Sequence, residues 1–498
     1  MTSPQIDLHK SGSTEELDPK RWIALLVIGV AQLMVILDAT IVNIALPDAA
    51  TALGISDANR QWMVTAYALP FGALLLLGGR IGDYLGRKKV LMFALGGFAV
   101  ASALGGIAQN QAMLFGARAL QGVFGAMLAP ATLAMLTVTF RDPKERAKAF
   151  AVFGAIAGGG AAVGLLLGGL LTEYTSWRWC LLVNIPISVV AIIGTWFYLH
   201  ESKTNRTGSY DVLGALLGTA GLAMLVWGFN QASSHPWSSP NTWGWLVGAV
   251  AVLVLFVYLE SRNEHAILPM RILKDRNRAG AYLVGLLVGT GLFAVFLFLT
   301  LYLQTVLQWS PVKSGVAFLP FSVGVIIGAG VGSQLVLKVG AKIVVPAGLL
   351  LGVAGLLWLS RLSLDSGYLG TILPSLLLIS IGMGFIFMST TNVALHGVAS
   401  EDSGVASAMV NTTQQIGGAL GTALLSTFAV SAGTTYLLSH SSGGQPSPVE
   451  LAAAQVHGYG VAFIWGAVFF FIAAVASVLL INADKTEAAA SEPGMSMV

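Results

Sequence analysis

The stretch that decides the fold is the first long apolar run, WIALLVIGVAQLMVILDATIVNIALP, which extends from Trp22 to Pro47. About twenty apolar residues in a helix are enough to cross the hydrocarbon core of a bilayer. The run therefore predicts a membrane-spanning helix, yet it contains a carboxylate, Asp38. Because a charge inside a membrane is costly, we interpret Asp38 as a functional residue. The alternative is a residue near the membrane surface that reaches water and does no chemistry.

The composition of the whole chain agrees with this interpretation. Its 498 residues are 55% hydrophobic and only 10% charged, with a mean hydropathy of +0.78. Soluble domains carry about 25% charged residues, so the composition indicates a polytopic membrane protein. The single cysteine, Cys180, excludes an internal disulfide and a cysteine-based zinc site. The net charge of +3 is too small to indicate nucleic-acid binding.

Apolar runs of spanning length recur along the chain. They lie at approximately 22–46, 61–79, 89–109, 112–140, 148–171, 178–199, 212–230, 244–259, 279–303, 315–337, 342–360, 370–395, 404–431 and 459–481. Continuous apolarity predicts helices, because the strands of a membrane barrel alternate between apolar and polar residues. The expected fold class is an all-α membrane protein with about 14 transmembrane helices.

The basic residues predict the orientation in the membrane. Of the 26 Lys and Arg residues, 21 fall in the tails and in the loops on the same side as the tails. The opposite loops contain only Arg60, Arg178, Lys313 and Arg361. Since cytoplasmic loops are enriched in basic residues, we expect both termini in the cytoplasm. The remaining basic residue, Arg118, lies inside the fourth run, and Asp38 is the acid that lies within a run.

The chain also shows an internal duplication. The segment GGRIGDYLGRKKVLMFALGG (Gly78–Gly97) has a weaker echo in GSQLVLKVGAKIVVPAGLLLG (Gly332–Gly352). The simplest division is a cytoplasmic tail (1–21), a six-helix half (22–200), two inserted helices with flanking loops (201–278), a second six-helix half (279–483) and a cytoplasmic tail (484–498). Parallel halves can build a transporter around a central site. The inserted helices carry no charge within the membrane, and we interpret them as peripheral to the transport path.

Several motifs identify a family. The loop GGRIGDYLGRKKV combines glycines, an acid and a cluster of basic residues. The alternative is that its basic residues only fix the orientation in the membrane, but this would not explain Asp83 or the glycine spacing. This loop resembles the signature loop of the major facilitator superfamily, and LDATIVNIALP resembles a motif of its fourteen-helix drug:proton antiporter branch. The segments LFGARALQGVFGA (Leu114–Ala126), SWRWCLLVNIPI (Ser176–Ile187), YLQTVLQWSP (Tyr302–Pro311) and GVASAMVNTTQQIGGALG (Gly404–Gly421) are similar to the same branch.

The resemblance implies the major facilitator fold, with two six-helix halves and two inserted helices, and roles for two sets of residues. The signature loop would form a conformational latch through Gly79, Asp83, Gly86 and Arg87, with Asp83 facing the start of the thirteenth helix near Gly404. Asp38 and Arg118 would serve proton coupling. Because an arginine keeps its proton, Arg118 would act by changing the proton affinity of a nearby acid. The alternative for Arg118 is a buried clamp between helices.

The fifth run carries a glycine pattern. Gly160, Gly164 and Gly168 recur every four residues and Gly169 follows, so they predict a flat stripe against which another helix packs or slides. The stripe resembles the antiporter motif of the exporters in this family. Leu165 stands where that motif usually has proline, which argues against its kink.

Polar and flexible side chains in other runs are candidates for the lining of a central cavity. They are Met34, Asn43, Tyr67, Gln121, Asn411, Gln414 and Gln415. The polar residues 411–415 are consecutive and cannot all face lipid. Hydrogen bonds between helices without ligand contact are an equal alternative for them. Methionine and aromatic side chains in membrane helices usually only pack.

Together these patterns predict an exporter in the cytoplasmic membrane that exchanges protons for drug-like or antibiotic small molecules by alternating access. We expect the partners to be the substrate, protons and the bilayer, with a monomeric chain and no nucleic acid, cofactor or metal. The sequence has no GxxxxGK[ST] loop, so ATP is not the expected energy source. An uptake carrier or uniporter on the same fold is one alternative. A membrane enzyme or sensor is another alternative. An enzyme should cluster several titratable groups, whereas the only charges expected within the membrane are Asp38 and Arg118.

Overall fold

The computed structural model describes residues 20–56, 59–140, 142–201, 211–234, 239–263, 266, 268, 270–398, 403–440 and 446–482. Over these residues the chain is almost entirely helical. The first part of the chain forms α1 (Arg21–Ala52), α2 (Trp62–Leu85), α3 (Arg87–Gly106), α4 (Gln111–Thr139), α5 (Pro143–Tyr174), α6 (Trp179–Leu182) and α7 (Asn184–Tyr198). The sixth predicted run is thus an interrupted helix made of α6 and α7.

The rest of the chain follows the same pattern. The inserted pair is α8 (Val212–Ser234) and α9 (Pro240–Arg262). The remaining helices are α10 (Met270–Lys274), α11 (Arg276–Leu301), α12 (Pro311–Ala317), α13 (Leu319–Val339), α14 (Ala341–Leu359), α15 (Leu373–Leu395), α16 (Ser403–His440) and α17 (Pro448–Leu480). A π-helical turn, Tyr302–Val306, extends α11, and another, Tyr368–Ile372, leads into α15.

The number of spans is close to the predicted fourteen. Among the described residues, 13 helices are long and apolar enough to cross a membrane. The seventh predicted run corresponds to α8, whose apolar part, Leu213–Phe229, is shorter. The thirteenth run, predicted at 404–431, extends in the structure to His440. The predicted all-α membrane fold is confirmed.

The helices pack in two groups. In the first group α1 contacts α4, α5 and α7, while α4 also packs against α2 and α3. In the second group α11 contacts α15, α16 and α17, while α15 also packs against α13 and α14. Small residues allow these helices to approach closely, as lipid offers little hydrophobic driving force for association. A Cβ atom on Gly78 of α2, for example, would lie 2.2 Å from the Ala126 carbonyl oxygen on α4.

The duplicated segments share a turn. Gly86 between α2 and α3 and Gly340 between α13 and α14 have φ angles of +106° and +83°. In each turn the glycine N–H donates a hydrogen bond to the carbonyl oxygen four residues earlier, at 3.1 and 2.9 Å. Glycine tolerates positive φ because it has no Cβ. The echo between the two segments thus corresponds to one local conformation used twice.

Contacts between helix ends show that α1 begins on the side where α17 ends. Arg21 at the start of α1 pairs with Glu145 near the start of α5. Glu173 near the end of α5 accepts a hydrogen bond, 2.9 Å long, from a backbone N–H in the first turn of α12. Arg276 at the start of α11 contacts the last turn of α17. We call the side where α1 begins and α17 ends the tail side, and the opposite side the far side.

The inserted helix α8 lies on the boundary between the two groups, where it packs against both α2 and α16. The ring centroids of Trp227 and Trp62 on α2 are 5.7 Å apart, and Thr427 on α16 donates a 2.9 Å hydrogen bond to the Phe229 carbonyl oxygen. The sequence places the inserted pair at the periphery. The structure puts α8 over the seam between α2 and α16, with α9 packed against α8.

Candidate functional site

Asp38 lies in the interior of α1, where its carboxylate is completely buried. Its Oδ2 accepts a 2.6 Å hydrogen bond from Nη1 of Arg118, which makes a buried ion pair. Its Oδ1 accepts hydrogen bonds from Nε2 of Gln121 and Nδ2 of Asn184, each 2.8 Å long. Both carboxylate oxygens are therefore satisfied, which is the condition for keeping a charge in an apolar interior.

Arg118 is fixed by more than its ion pair. Its Nε donates to the Met63 carbonyl oxygen at 3.0 Å, and its Nη1 also donates to Oε1 of Gln121 at 2.8 Å. Its guanidinium carbon stands 4.5 Å from the centroid of the Tyr67 ring, a cation–π contact. Gln121 also donates to Oγ of Ser102 at 2.7 Å. We call Asp38, Arg118, Gln121, Asn184 and Ser102 the Asp38 cluster.

Helix geometry explains how these side chains meet. Arg118 and Gln121 are three residues apart on α4 and share a face of that helix. The next residue, Gly122, lets α2 approach, because a Cβ atom there would lie 2.4 Å from the Tyr67 carbonyl oxygen. Asn184 is the first residue of α7, directly after the interruption that separates α6 from α7. The cluster therefore depends on the packing of α1 and α3 with α4 and α7.

Two polar atoms beside the cluster are buried without a hydrogen-bond partner among the described residues. They are Oδ1 of Asn184 and the hydroxyl oxygen of Tyr67. Buried polar atoms normally have a protein or water partner. These two atoms therefore retain unused hydrogen-bonding capacity in this conformation.

The predicted glycine stripe of α5 packs against α1, the helix that carries Asp38. A Cβ atom on Gly160 would lie 2.9 Å from Cγ2 of Ile36, and one on Gly168 would lie 2.9 Å from the Ile41 carbonyl oxygen. Gly164 faces α1 between them. Gly169 faces α12 instead, where a Cβ atom would lie 2.8 Å from the Pro311 carbonyl oxygen. α5 thus contacts α1 on one side and the second helix group on the other.

The signature loop binds the side chain of a distant acid, Glu201, that the sequence alone did not identify. Glu201, which follows α7, accepts hydrogen bonds from the backbone N–H groups of Lys88 and Lys89 at 3.1 and 3.3 Å. These groups lie at the N-terminus of α3, where the helix dipole favours negative charge. A Cβ atom on Gly86 would stand 2.6 Å from the Glu201 carboxylate, so glycine is needed there.

The other latch residues lie around this turn. Gly79 on α2 faces Pro130 of α4, and a Cβ atom on Gly79 would lie 3.4 Å from Cβ of that proline. Arg87 is the first residue of α3 and is half-buried. The side chain of Asp83 lies outside the described part of the chain, so its contact with the start of α16 stays a prediction.

The candidate lining residues of the first group are mostly inside protein in this conformation. Met34 is buried, and its Sδ accepts a 3.1 Å hydrogen bond from Oγ of Ser188. The Asn43 side chain donates to carbonyl oxygens of its own helix, α1, at 3.3 and 3.2 Å. Tyr67 and Gln121 belong to the surroundings of the ion pair. Their roles in lining a cavity stay predictions.

The candidate lining residues of α16 lie near the boundary between the helix groups. Gln414 packs against Gly289 of α11, where an added Cβ atom would lie 2.2 Å from the Gln414 carbonyl oxygen. Gln415 packs against Gly72 of α2, where an added Cβ atom would lie 2.9 Å from the Gln415 Cβ. The Gln415 side-chain oxygen is buried without a partner among the described residues. Asn411 is exposed. The structure therefore brings Gln415 to the seam with α2.

Hydrogen bonds close the far side between the two groups. Oγ1 of Thr65 on α2 and Oγ1 of Thr422 on α16 are 2.8 Å apart. Gln304, in the π-helical turn that extends α11, donates a 3.0 Å hydrogen bond to the Ile44 carbonyl oxygen on α1. With the contact between Glu173 and α12, these bonds join α1, α2 and α5 to the second group. The conformation seen here is closed on the far side.

A bundle of two helix groups with a buried ion pair inside one of them has the architecture of a membrane carrier. Comparison with known proteins agrees. Residues 28–422 match the Major Facilitator Superfamily. The chain is 45% identical to the puromycin resistance protein of Streptomyces alboniger, over 96% of this chain and 95% of that protein. It is 37% identical to the cephamycin export protein of Amycolatopsis lactamdurans, over 92% of each.

Solved structures show the same fold. The crystal structure of a bacterial homolog of the human lysosomal transporter Spinster matches with a TM-score of 0.66 at 14% sequence identity, covering 94% of this chain and 98% of that chain. The chain therefore belongs to the major facilitator superfamily, as its motifs predicted. It is a multi-pass membrane protein.

Proposed function

We propose that this protein exports antibiotic-like small molecules across the cytoplasmic membrane in exchange for protons. The relatives named for puromycin resistance and cephamycin export match more than nine-tenths of the chain, which supports export of such compounds. The observation that carries the coupling is the buried ion pair between Asp38 and Arg118. A carboxylate with a permanent cation and two amide donors is a group whose protonation must change the packing around it.

The coupling step follows from the geometry of the Asp38 cluster. Protonation of Asp38 would remove the negative partner of Arg118 and leave a buried cation uncompensated. The far side is closed here, and Arg118, Gln121 and Asn184 donate to both oxygens of the Asp38 carboxylate. A proton would therefore bind in the other conformation, where α1 has moved relative to α4 and α7. The close contact of α1 with the glycines of α5 provides the surface for that movement.

The direction of transport rests on the orientation. The excess of basic residues on the tail side favours a cytoplasmic tail side. With residues 22–200 and 279–483 as the two moving halves of a monomer, the conformation closed on the far side takes up substrate from the cytoplasm. Opening of the far side then releases the substrate outside and admits a proton to Asp38. A membrane potential adds about 2.3 kcal/mol for each charge per 100 mV.

The test is efflux from cells that produce the wild type, Asp38→Asn or Asp48→Asn, with and without a protonophore. Puromycin and a panel of cationic and neutral dyes serve as substrates. Asp48 is the matched control because it lies on the same helix but is exposed. We expect the protonophore to abolish wild-type efflux, and Asp48→Asn to behave like the wild type. Asp38→Asn should be inserted in the membrane but should not export the compounds.

Two results would contradict the proposal. Proton-dependent efflux by Asp38→Asn at the wild-type rate would move the coupling site elsewhere. Accumulation of the compounds above the level in cells without the protein would indicate an uptake carrier.

A further inference from the structure

A cavity lies on the far side, away from the Asp38 cluster. It has a volume of about 190 Å³ and sits between the start of α2 and the helices α11, α16 and α17. Arg60 and Gln61, directly before α2, form one wall. The other walls come from the second helix group, with Phe298 on α11 and Ser426 on α16 among them. The cavity therefore spans the boundary between the two groups.

The cavity borders the hydrogen bond that closes the far side. Gln61 lies one helical turn before Thr65, since the Thr65 N–H donates to the Gln61 carbonyl oxygen at 2.9 Å. Ser426 lies one turn after Thr422 on α16. The two threonine hydroxyls, 2.8 Å apart, are thus one turn deeper in the bundle than these two wall residues. A molecule in the cavity would contact both helix groups next to their closing contact.

The lining indicates the chemistry of a ligand. Apolar side chains such as Phe298 and Leu301 form most of the surface, and Gln61, Ser426 and Gln455 add polar groups. An apolar lining with a few polar groups is typical of small-molecule sites. This composition favours a molecule with an apolar body and an uncharged polar end.

We propose that this cavity is a small-molecule site separate from the Asp38 cluster, which takes an uncharged amphiphile and holds the far side closed when occupied. A ligand that binds one conformation better than another shifts the population toward the first. The walls belong to helix groups whose separation would open the far side, so occupancy favours the closed form. Such a ligand would slow export without competing for the Asp38 cluster.

Photolabelling of the purified full chain tests the binding. The probe is 4-(hydroxymethyl)benzophenone, which has an apolar photoreactive body and an uncharged hydroxyl end. We expect the probe to label cavity residues of α11, α16 or α17, mapped by mass spectrometry. Ser426→Phe and Thr434→Phe, which fill the cavity and its mouth, should each reduce this labelling about tenfold. Leu438→Phe, at an exposed position of the same helix, is the control and should leave it unchanged.

A disulfide reporter tests the effect on closure. Thr65→Cys and Thr422→Cys in a Cys180→Ser background place two thiols at the closing contact. The probe should speed oxidative cross-linking at least about threefold, and Thr434→Phe should abolish that effect.

Either half of the proposal can fail. Labelling confined to lipid-facing residues, or unchanged in both Phe variants, would overturn the site. Labelling of the cavity without faster cross-linking would overturn its effect on closure. Neither measurement uses transport, so a failure of the proposed proton coupling would leave both results interpretable.

Discussion

Gly164 of α5 faces Thr40 of α1 so closely that a Cβ atom on Gly164 would stand 2.0 Å from the threonine Oγ1. We expect Gly164→Ala to push α5 away from α1 and to reduce both efflux and thermal stability, because overpacking costs about 1–3 kcal/mol. Gly159→Ala on the same helix has no neighbour within 4 Å and should be tolerated. Efflux assays and thermal unfolding in detergent measure both variants. Equal behaviour of the two would show that the tight contact is unimportant.

The ion pair of Asp38 and Arg118 predicts a rescue of stability without a rescue of transport. Arg118→Gln leaves a buried carboxylate without its cation, and breaking such a pair costs about 3–5 kcal/mol. Adding Asp38→Asn removes the remaining charge, so the double variant should regain much of the lost thermal stability while efflux stays absent. Tryptophan fluorescence during heating follows the stability. Protonophore-sensitive efflux by the double variant would contradict the role of this pair.

We expect Asn184 to contribute more to efflux than Asn43, which is also buried. Its amide donates to Asp38, whereas the amide of Asn43 bonds only to carbonyl oxygens of α1. A hydrogen bond to a charged group contributes about 1.5–3 kcal/mol, so Asn184→Ala should lower efflux by about tenfold or more. Asn43→Ala should lower it much less. Comparison of initial efflux rates at equal protein levels distinguishes them, and the reverse order would contradict the cluster as described.

The turn at Gly86 predicts a loss of stability on the tail side. Gly86→Ala places a Cβ at a φ of +106° and 2.6 Å from the Glu201 carboxylate, and backbone strain of this kind costs about 1–3 kcal/mol. Gly82→Ala, one turn earlier and with nothing within 4 Å, is the control. Thermal unfolding should separate the two variants, and a similar unfolding temperature for both would be inconsistent with the strain.

The pair of Arg21 and Glu145 predicts a pH dependence. Arg21 donates two hydrogen bonds of 2.7 Å to this carboxylate, and they hold the pKa of Glu145 below its usual value of 4.5. Because the folded-state pKa is depressed, the stabilisation is present above pH 4.5 and is lost as the pH falls through the folded value. The wild type should unfold at a higher temperature than Glu145→Gln near neutral pH, and this difference should disappear as the pH is lowered. A difference that does not change with pH would argue against the pair.

The sequence was sufficient to predict the family, the helical membrane fold and the two charges of the buried pair. Asp38 and Arg118 stand out because a charge within an apolar run has few alternatives to a partner or a function. That they contact each other could be read only from the packing of α1 against α4.

Gln121 was a candidate from the sequence, but the other neutral members of the cluster, Asn184 and Ser102, could not be predicted in this way. Asn184 lies in a quoted motif, and its amide within an apolar run was the one signal available. Ser102 gave no signal, because serine is common in membrane helices. Glu201 sits after α7 among other polar residues, and only the tertiary structure brings it to the start of α3. The position of α8 over the seam also depends on contacts between helices far apart in sequence.

Every side chain of the Asp38 cluster comes from a helix that ends before residue 200. The proposed proton-coupling residues therefore lie within one helix group, and no side chain of α11 or α16 belongs to the cluster. Substitutions in the second helix group can thus change which compound is carried while the coupling residues stay in place.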